Sequence, residues 1–270
     1  MNVIVCVKQV PGTNEVKWNK ETNTIIREGV EAIINPFDTY AVEEGVRIKE
    51  QTGGKATVIS MGIPSVAELL KETIAVGIDE AVLLSDRAFA GADSLATSYA
   101  LSMGIKHIGE YDLIICGKQA MDGDTGQVGP EVAEVLDITH ITDIRMIEGI
   151  DDDGVITVER LLEDGYVRLR TKMPVVLTVV KEINEPRLPS LKGKMAARKK
   201  EIQNVPASEL EVFSDRIGLD GSPTQVMKIF APPKPTGGKQ FQGEVPDTVA
   251  ELIAELKKVG ILSKPSEKED

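Results

Sequence analysis

Residues 112–136 read DLIICGKQAMDGDTGQVGPEVAEVL. A short apolar run, Leu113 to Cys116, passes into a polar loop carrying Gly117, Gly123, Gly126 and Gly129, and a helical pattern starts at Pro130. In an open α/β sheet, ligands sit outside the carboxyl ends of the strands, where such loops gather. The glycines let backbone come close to a ligand, and Thr125 and Gln127 add hydrogen-bonding groups. The helix after Pro130 turns free N–H groups and a positive dipole end toward the loop. That suits a phosphate-bearing nucleotide. The residues alone leave a second reading open, an ordinary βα loop whose glycines only make the turn.

Toward the N-terminus the same alternation recurs. Val3–Val7 is an apolar run, and Asp38–Gln51 has helical spacing (Ala41, Val42, Gly45, Val46, Ile48) that stops at Gly53–Gly54. Ala56–Met61 and Ala81–Leu84 read as strands, Ser65–Val76 and Ala92–His107 as helices. Strands alternating with helices predict an α/β fold, a mostly parallel sheet flanked by helices with right-handed crossovers. No G-x-G-x-x-G follows the first strand, so a nucleotide would be held by another set of loops.

Toward the C-terminus the pattern changes from about Thr139. Asp151–Gly154 and Glu163–Gly165 are hairpin turn signals between the alternating runs Val155–Leu161 and Tyr166–Leu169. Val175–Val180 suits a buried strand. After Asn184 the chain reads as irregular and basic, and half of its 14 prolines lie from Pro206 onward. Ala231–Gly243 (APPKPTGGKQFQG) is expected to be unpacked, and the tail SKPSEKED to be frayed. A short amphipathic helix is expected over Thr248–Val259. Its Val249, Leu252, Ile253 and Leu256 need a partner surface, another polypeptide.

Composition narrows the chemistry. The 270 residues carry 43 acidic against 31 basic side chains, a net charge of −12 that repels nucleic-acid backbones. No run of eighteen apolar residues occurs, so no membrane span is expected. The start, MNVIVCVKQVPG, lacks the basic segment and cleavage site of a leader and reads as a first strand, which points to a cytoplasmic chain. Two cysteines, Cys6 and Cys116, exclude a disulfide framework by count. Two histidines, His107 and His140, sit in no metal-ligand spacing, so no metal site is expected. Neither a G-x-S-x-G elbow nor a phosphate-binding G-x-x-x-x-G-K-[ST] loop is present, and no side chain is assigned a catalytic role. Difficult chemistry would have to come from a cofactor.

Five long strings resemble one family, the β subunit of electron-transferring flavoprotein. They are VxVKQVPxT at the start, INPFDxxAVEE at 34–44, GKQAxDGDTxQVGP at 117–130, NEPRxxSLKGKMxARKKEI at 184–202 and SPTQVMKIFxPP at 222–233. The resemblance covers nearly the whole chain. It implies an adenine nucleotide alpha hydrolase-like α/β domain with a β-hairpin extension, over residues 1–204. Residues 205–270 would be a C-terminal arm and helix packing on the α subunit of a heterodimer. It also implies that an adenine nucleotide is held by Cys6, by Asn35, Pro36, Phe37 and Asp38, and by Met61. The loop would add Gly117, Lys118, Gln119, Ala120, Met121, Asp122, Gly123, Asp124, Thr125, Gly126, Gln127 and Val128. Chemically, Cys6 and Met61 at strand ends offer small or soft walls to an adenine, although both residues also suit plain core packing. Asn35 offers hydrogen bonds to base or ribose. Asn35-Pro36 equally suits a helix-entry turn with Asp38 as its N-cap.

The family divides by what this pocket holds. In simple electron carriers it is AMP, a structural ligand. In electron-bifurcating members it is a second FAD that accepts hydride from NADH. SDRAFAGADSLATS (Ser85–Ser98) resembles the bifurcating stretch, with Ser94 in place of a threonine, and Gly123 and Gly126 leave room beside the phosphates for a longer dinucleotide. Asp93, Ser94 and Thr97 offer contacts to a flavin, and Arg87 a charge that stabilises an anionic reduced ring. The plainer reading of the same residues is a helix capped by Asp93 or Ser94 with a solvated Arg87. The expected function is that of a bifurcating β subunit, a redox subunit active only with its α subunit. Electrons would pass to ferredoxin or flavodoxin and, through the α-subunit FAD, to an acyl-CoA dehydrogenase-type partner. An AMP-binding carrier subunit is the alternative. A stand-alone adenine-nucleotide sensor is a further one, against which the proline-rich arm argues. The resemblance further implies that partner dehydrogenases dock on 184–200, with Leu191 as apolar anchor. Arg187, Lys192, Lys194 and Met195 would stand around it, unless the run is only a solvated basic helix end.

Overall fold

The computed structural model describes residues 1–12, 18–19, 24–25, 31–227 and 237–262. Thr13 of the first motif, residues 228–233 of the last, residues 231–236 of the proline-rich run and the tail 263–270 lie outside them. The chain divides into two compact units, Met1–Lys228 and Ile229–Asp270.

In chain order the first unit begins with β1 (Asn2–Cys6), β2 (Gln9–Pro11), β3 (Trp18–Asn19), β4 (Thr24–Ile25) and β5 (Ala32–Ile34). There follow α1 (Pro36–Thr52), β6 (Lys55–Met61), α2 (Val66–Val76), β7 (Glu80–Leu84), α3 (Ser94–Ile108), β8 (Leu113–Gly117) and α4 (Val128–Leu136). Next come β9 (Thr139–Ile150), β10 (Val155–Leu162), β11 (Gly165–Lys172), β12 (Val175–Val179), α5 (Leu191–Lys199) and β13 (Gln203–Val205). Nine of these strands form one sheet in the order β11-β10-β9-β12-β8-β1-β6-β7-β13. All neighbours from β9 to β13 are parallel, and only β10 runs antiparallel, to β9 and β11. The expected hairpin therefore extends the same sheet.

Parallel strands buried on both faces read as continuous apolar runs, as VIVC and LIIC do here. Val3 and Val5 face Val42 and Val46 of α1 and Leu70 and Ile74 of α2. Ile4 and Cys6 face the other way, toward Tyr99, Ala100 and Ile105 of α3 and Val132 and Leu136 of α4. Strand β1 has β6, which follows it, on one side and β8, which comes two parallel strands later, on the other. The strand order reverses there, and in open α/β sheets the crevice at such a point binds ligands.

Three expectations need correction. Helix α4 starts at Val128 rather than Pro130, with Gln127 as its cap. Proline is tolerated there because first-turn N–H groups have no intrahelical acceptor to lose. The run after Asn184 is not irregular throughout. Ser190 accepts a hydrogen bond from the Gly193 N–H at 3.0 Å and opens α5, which buries Ala197. Residues 205–228, read as the start of the arm, belong to the first unit, because β13 pairs with β7 and Val205, Leu210 and Ile217 are core residues.

In the second unit, α6 (Val245–Lys258) is amphipathic, and Val249, Leu252 and Ile253 on it are exposed. Among the described residues no helix is long and apolar enough to cross a membrane.

Candidate functional site

The carboxyl ends of β1, β6 and β8 bring Cys6, Met61 and Gly117 to the switch point. Cys6 stands opposite Cys116 in the parallel register, and both are free, buried thiols. Hydrogen bonding to Cys6 and burial push the Cys116 thiol well above its usual range, so it stays neutral and serves as a small wall. Behind these ends lies the start of α1. Asn35 is its N-cap residue, Pro36 occupies the first turn, and Asp38 sits inside the helix rather than capping it.

Asn35 is 1 % exposed, and its amide is engaged on every side. Its Nδ2 donates to Gln119 O at 2.8 Å and to Asp38 Oδ1 at 3.0 Å, and its Oδ1 accepts the Met121 N–H at 3.0 Å. The residue read as a contact to base or ribose thus ties the loop to α1. Asp38 Oδ2 accepts the Lys8 N–H at 2.7 Å. Burial pushes the Asp38 carboxyl up to about 7, against hydrogen bonds from Asn35, Lys8 and Gly117 that pull it down. A Cβ on Gly117 would collide with Asp38 Oδ1 and stand 2.7 Å from the Phe37 carbonyl carbon, so glycine is required for β8 to meet α1 here.

Beyond Gly117 the loop is fastened to the body by its own polar groups. The Lys118 N–H donates to Val179 O at 2.9 Å and its ammonium pairs with Asp143 at 3.1 Å. Lys8 pairs with Asp122 at 2.6 Å, Gln119 bonds Asp124, and the Asp124 N–H donates to Ala120 O at 2.8 Å. Met121, Asp122, Gly123, Asp124, Thr125 and Gln127 are exposed, while Ala120, Gly126 and Val128 are half-buried. With both lysines paired, an anion would be met by backbone N–H groups and hydroxyls. The first turn of α4 has no side-chain cap, which leaves the N–H groups of Val128 and Gly129 for that task. A Cβ on Gly123 would meet nothing within 4 Å, so the fold itself does not demand glycine there.

The segment Ser85–Ser98 stands beside this loop. The Ser94 hydroxyl donates to Gln127 Oε1 at 3.0 Å and lies 3.3 Å from Glu131 Oε1, and Ser98 donates to Glu131 Oε2 at 2.8 Å. Asp93 is the N-cap of α3 and accepts the Ala96 N–H at 3.1 Å. Its other oxygen accepts the Thr224 N–H at 3.0 Å and hydroxyl at 2.8 Å. Burial alone would raise its carboxyl, but these bonds outweigh it and hold it below the usual range. Thr97 is half-buried, and Arg87 is exposed in a short turn, Arg87–Phe89, capped by Asp86. Glu131, Ser98, Ser222, Thr224 and Lys8 escaped sequence reasoning. Only the four-residue helical spacing of Ser94 and Ser98 hints at a shared polar face.

On the other face, α1 carries the segment after β12. Asn184 Nδ2 donates to Glu44 at 2.9 Å and Tyr40 O at 3.0 Å. The Arg187 guanidinium grips Glu43 at 2.9 Å and Glu50 at 2.7 Å. Burial alone would raise the Glu43 carboxyl, but Arg187 and Arg47 outweigh it and hold it below the usual range. Arg187, which the resemblance placed around the docking leucine, is therefore committed within the chain. Lys192 and Lys194 form no ion pair among the described residues. Leu191 is 77 % exposed, Met195 is exposed one turn on, and Leu188, which the sequence did not single out, is 91 % exposed. A cavity of about 540 Å³ lies under this segment, lined by α1, α2 and α5 and by no residue of the Gly117–Val128 loop. It is a feature of this second region, not of the switch point.

The family model described as Electron transfer flavoprotein domain matches residues 22–210. The chain is 52 % identical to an electron transfer flavoprotein subunit beta of Thermoanaerobacterium thermosaccharolyticum, over 95 % of this chain and 98 % of that one. It is 46 % identical to the corresponding subunit of Megasphaera elsdenii, over 88 % and 90 % of the two chains. It is 43 % identical to the caffeyl-CoA reductase-Etf complex subunit CarD of Acetobacterium woodii, over 97 % and 100 %.

Proposed function

Since the chain belongs to the electron transfer flavoprotein β-subunit family, whose members work with an α subunit, we propose that its switch-point site holds FAD and serves electron bifurcation. FAD bound there supplies hydride acceptance from NADH and the division of the electron pair between two routes. One route leads to a low-potential carrier, ferredoxin or flavodoxin. The other runs through the α-subunit flavin to an acyl-CoA dehydrogenase-type partner. The relative named for a caffeyl-CoA reductase complex supports a partner that acts on a CoA thioester.

The observation that carries this reading is the Ser94–Gln127 hydrogen bond of 3.0 Å, which joins the Ser85–Ser98 segment to the Gly117–Val128 loop. A ligand as short as AMP needs the loop alone, whereas a dinucleotide can use both. The N–H groups of Val128 and Gly129 and the Thr125 hydroxyl would take the phosphates. The open space over Gly123 leaves room for the second phosphate, and Ser94 and Thr97 would hold the distal half. Arg87, exposed and without an ion pair among the described residues, would stabilise negative charge on a reduced ring. Cys6, Cys116 and Met61 would wall the base.

Leu191, with Leu188 and Met195 beside it, would anchor the dehydrogenase, and Lys192 and Lys194 would draw its acidic surface. The nucleotide content of the purified heterodimer tests the proposal. Two FAD per αβ pair is the expected result, and one FAD with one AMP overturns it in favour of the carrier reading.

A further inference from the structure

The motif at 222–224, Ser-Pro-Thr, has no part in the function so far, yet it is bonded to the start of α3 across about 130 residues of sequence. The Asp93 N–H donates to Ser222 Oγ at 2.9 Å, and the Ser222 hydroxyl donates to Gly218 O at 2.7 Å. Thr224 gives Asp93 Oδ2 both its N–H and its hydroxyl. Gly218 has φ +57° and comes so close to Ala88 O that any Cβ would collide with it. The turn 218–224 is thus built against residues 88–93.

Capping a helix needs one side-chain oxygen, and Asp93 Oδ1 meets that need through Ala96. The second oxygen and the Asp93 N–H are committed to the distant turn instead. Core packing does not explain this, because Thr224 is exposed. What the turn fixes is the residue that follows Asp93. Ser94 is the group that reaches Gln127 of the cofactor loop. Lys228, where the first compact unit ends, lies four residues beyond Thr224.

We propose that Ser222 and Thr224 are positioning residues that clamp Asp93, so that Ser94 and Thr97 are presented to the distal half of a dinucleotide. The clamp rests on the reading of the site as one for FAD. It acts on the half of the ligand that AMP lacks, so it sets the preference between the two nucleotides.

The test uses the full heterodimer, freed of its β-subunit nucleotide and titrated with FAD and, separately, with AMP. Thr224→Val removes the hydroxyl and Thr224→Ser restores it, while Ser222→Ala breaks the other limb. The valine variant is expected to bind FAD about ten-fold more weakly, the scale of one lost hydrogen bond to a carboxylate. AMP binding should stay within about two-fold, and the serine variant should recover FAD affinity. Faster amide exchange at 93–96 in Thr224→Val and Ser222→Ala, without ligand, is expected alongside. Unchanged FAD affinity in both the valine and alanine variants overturns the clamp, and so does an equal loss for FAD and AMP. A wild-type heterodimer that takes up AMP but no FAD overturns both the clamp and the FAD reading beneath it.

Discussion

Replacing Asn35 with alanine should loosen the cofactor loop. The side chain is 1 % exposed and makes three hydrogen bonds, two of them to Gln119 O and the Met121 N–H on the loop. The third goes to the buried carboxyl of Asp38, which is ionised only above about pH 7, where the test is made. A net protein hydrogen bond is worth about 1 kcal/mol, and one to a charged group about 1.5–3 kcal/mol. The loop partners lie near water, which can replace Asn35 at them, so those two bonds fall at the low end. Asp38 has no such relief and loses its side-chain donor. The sum is a destabilisation of about 2–4 kcal/mol.

For a body of this size each kcal/mol shifts Tm by about 2–4 °C, so a fall on the order of 10 °C is expected by calorimetry. Nucleotide affinity should fall with it, because Gln119 and Met121 no longer hold the loop against α1. The Asp38 carboxyl should titrate still higher, since Asn35 is the first of the groups that pull it down. A Tm within about 2 °C of wild type, with nucleotide binding intact, would refute the reasoning and return Asn35 to the role of a direct ligand contact.

Other perturbations follow from the same geometry. The Asp38 carboxyl, ordinarily near 3.8 and here raised to about 7, keeps its proton in the folded chain where the unfolded chain has lost it. Its contribution to stability therefore falls as pH rises from about 4 to about 7 and is level above that. Carboxyl NMR should show one midpoint near 7, and a midpoint near 4 would remove the effect. At Gly193 a Cβ would collide with Ala75 O, so Gly193→Ala must lift α5 off α2, at about 1–3 kcal/mol by chemical denaturation. An unchanged denaturation midpoint would show that α5 yields freely. Leu191→Ala alters a side chain that is 77 % exposed, so stability should change by less than about 0.5 kcal/mol and cofactor content not at all. Electron delivery to the dehydrogenase should slow, and unaltered transfer kinetics would sink the docking role.

The parallel part of the sheet was legible because its signals are local. VIVC, ATVISM and LIIC each lie between turn residues, and the intervening helices show their apolar spacing within a dozen residues. The hairpin was legible from two turns. The start of α4 was not, because Pro130 looks like a first helical residue while Gln127, the true cap, has no capping side-chain bond to advertise it. Helix α5 was hidden by its composition: of its nine residues only Ala197 is buried, so no apolar stripe marks it.

The site divides along the same line. Its glycines and hydroxyls were visible as a loop, but the groups that hold that loop are pairs remote in sequence: Asn35 with Met121, Ser94 with Gln127, Asp93 with Thr224. Sequence reading offered Asn35 and Asp93 both as ligand contacts and as helix-entry or capping residues, and Arg187 as part of a docking surface. The structure turns all three inward, onto Asp38 and Gln119, onto Thr224, and onto Glu43 and Glu50. A polar side chain in a ligand loop is as well used in holding the loop as in touching the ligand, because an unpaired buried amide or charge costs more than a solvated one. Motif residues bonded to remote parts of the chain should therefore be tested first as supports, and exposed ones without such a bond as contacts. By that rule Thr125 and Arg87 are where a substitution should change affinity without changing stability.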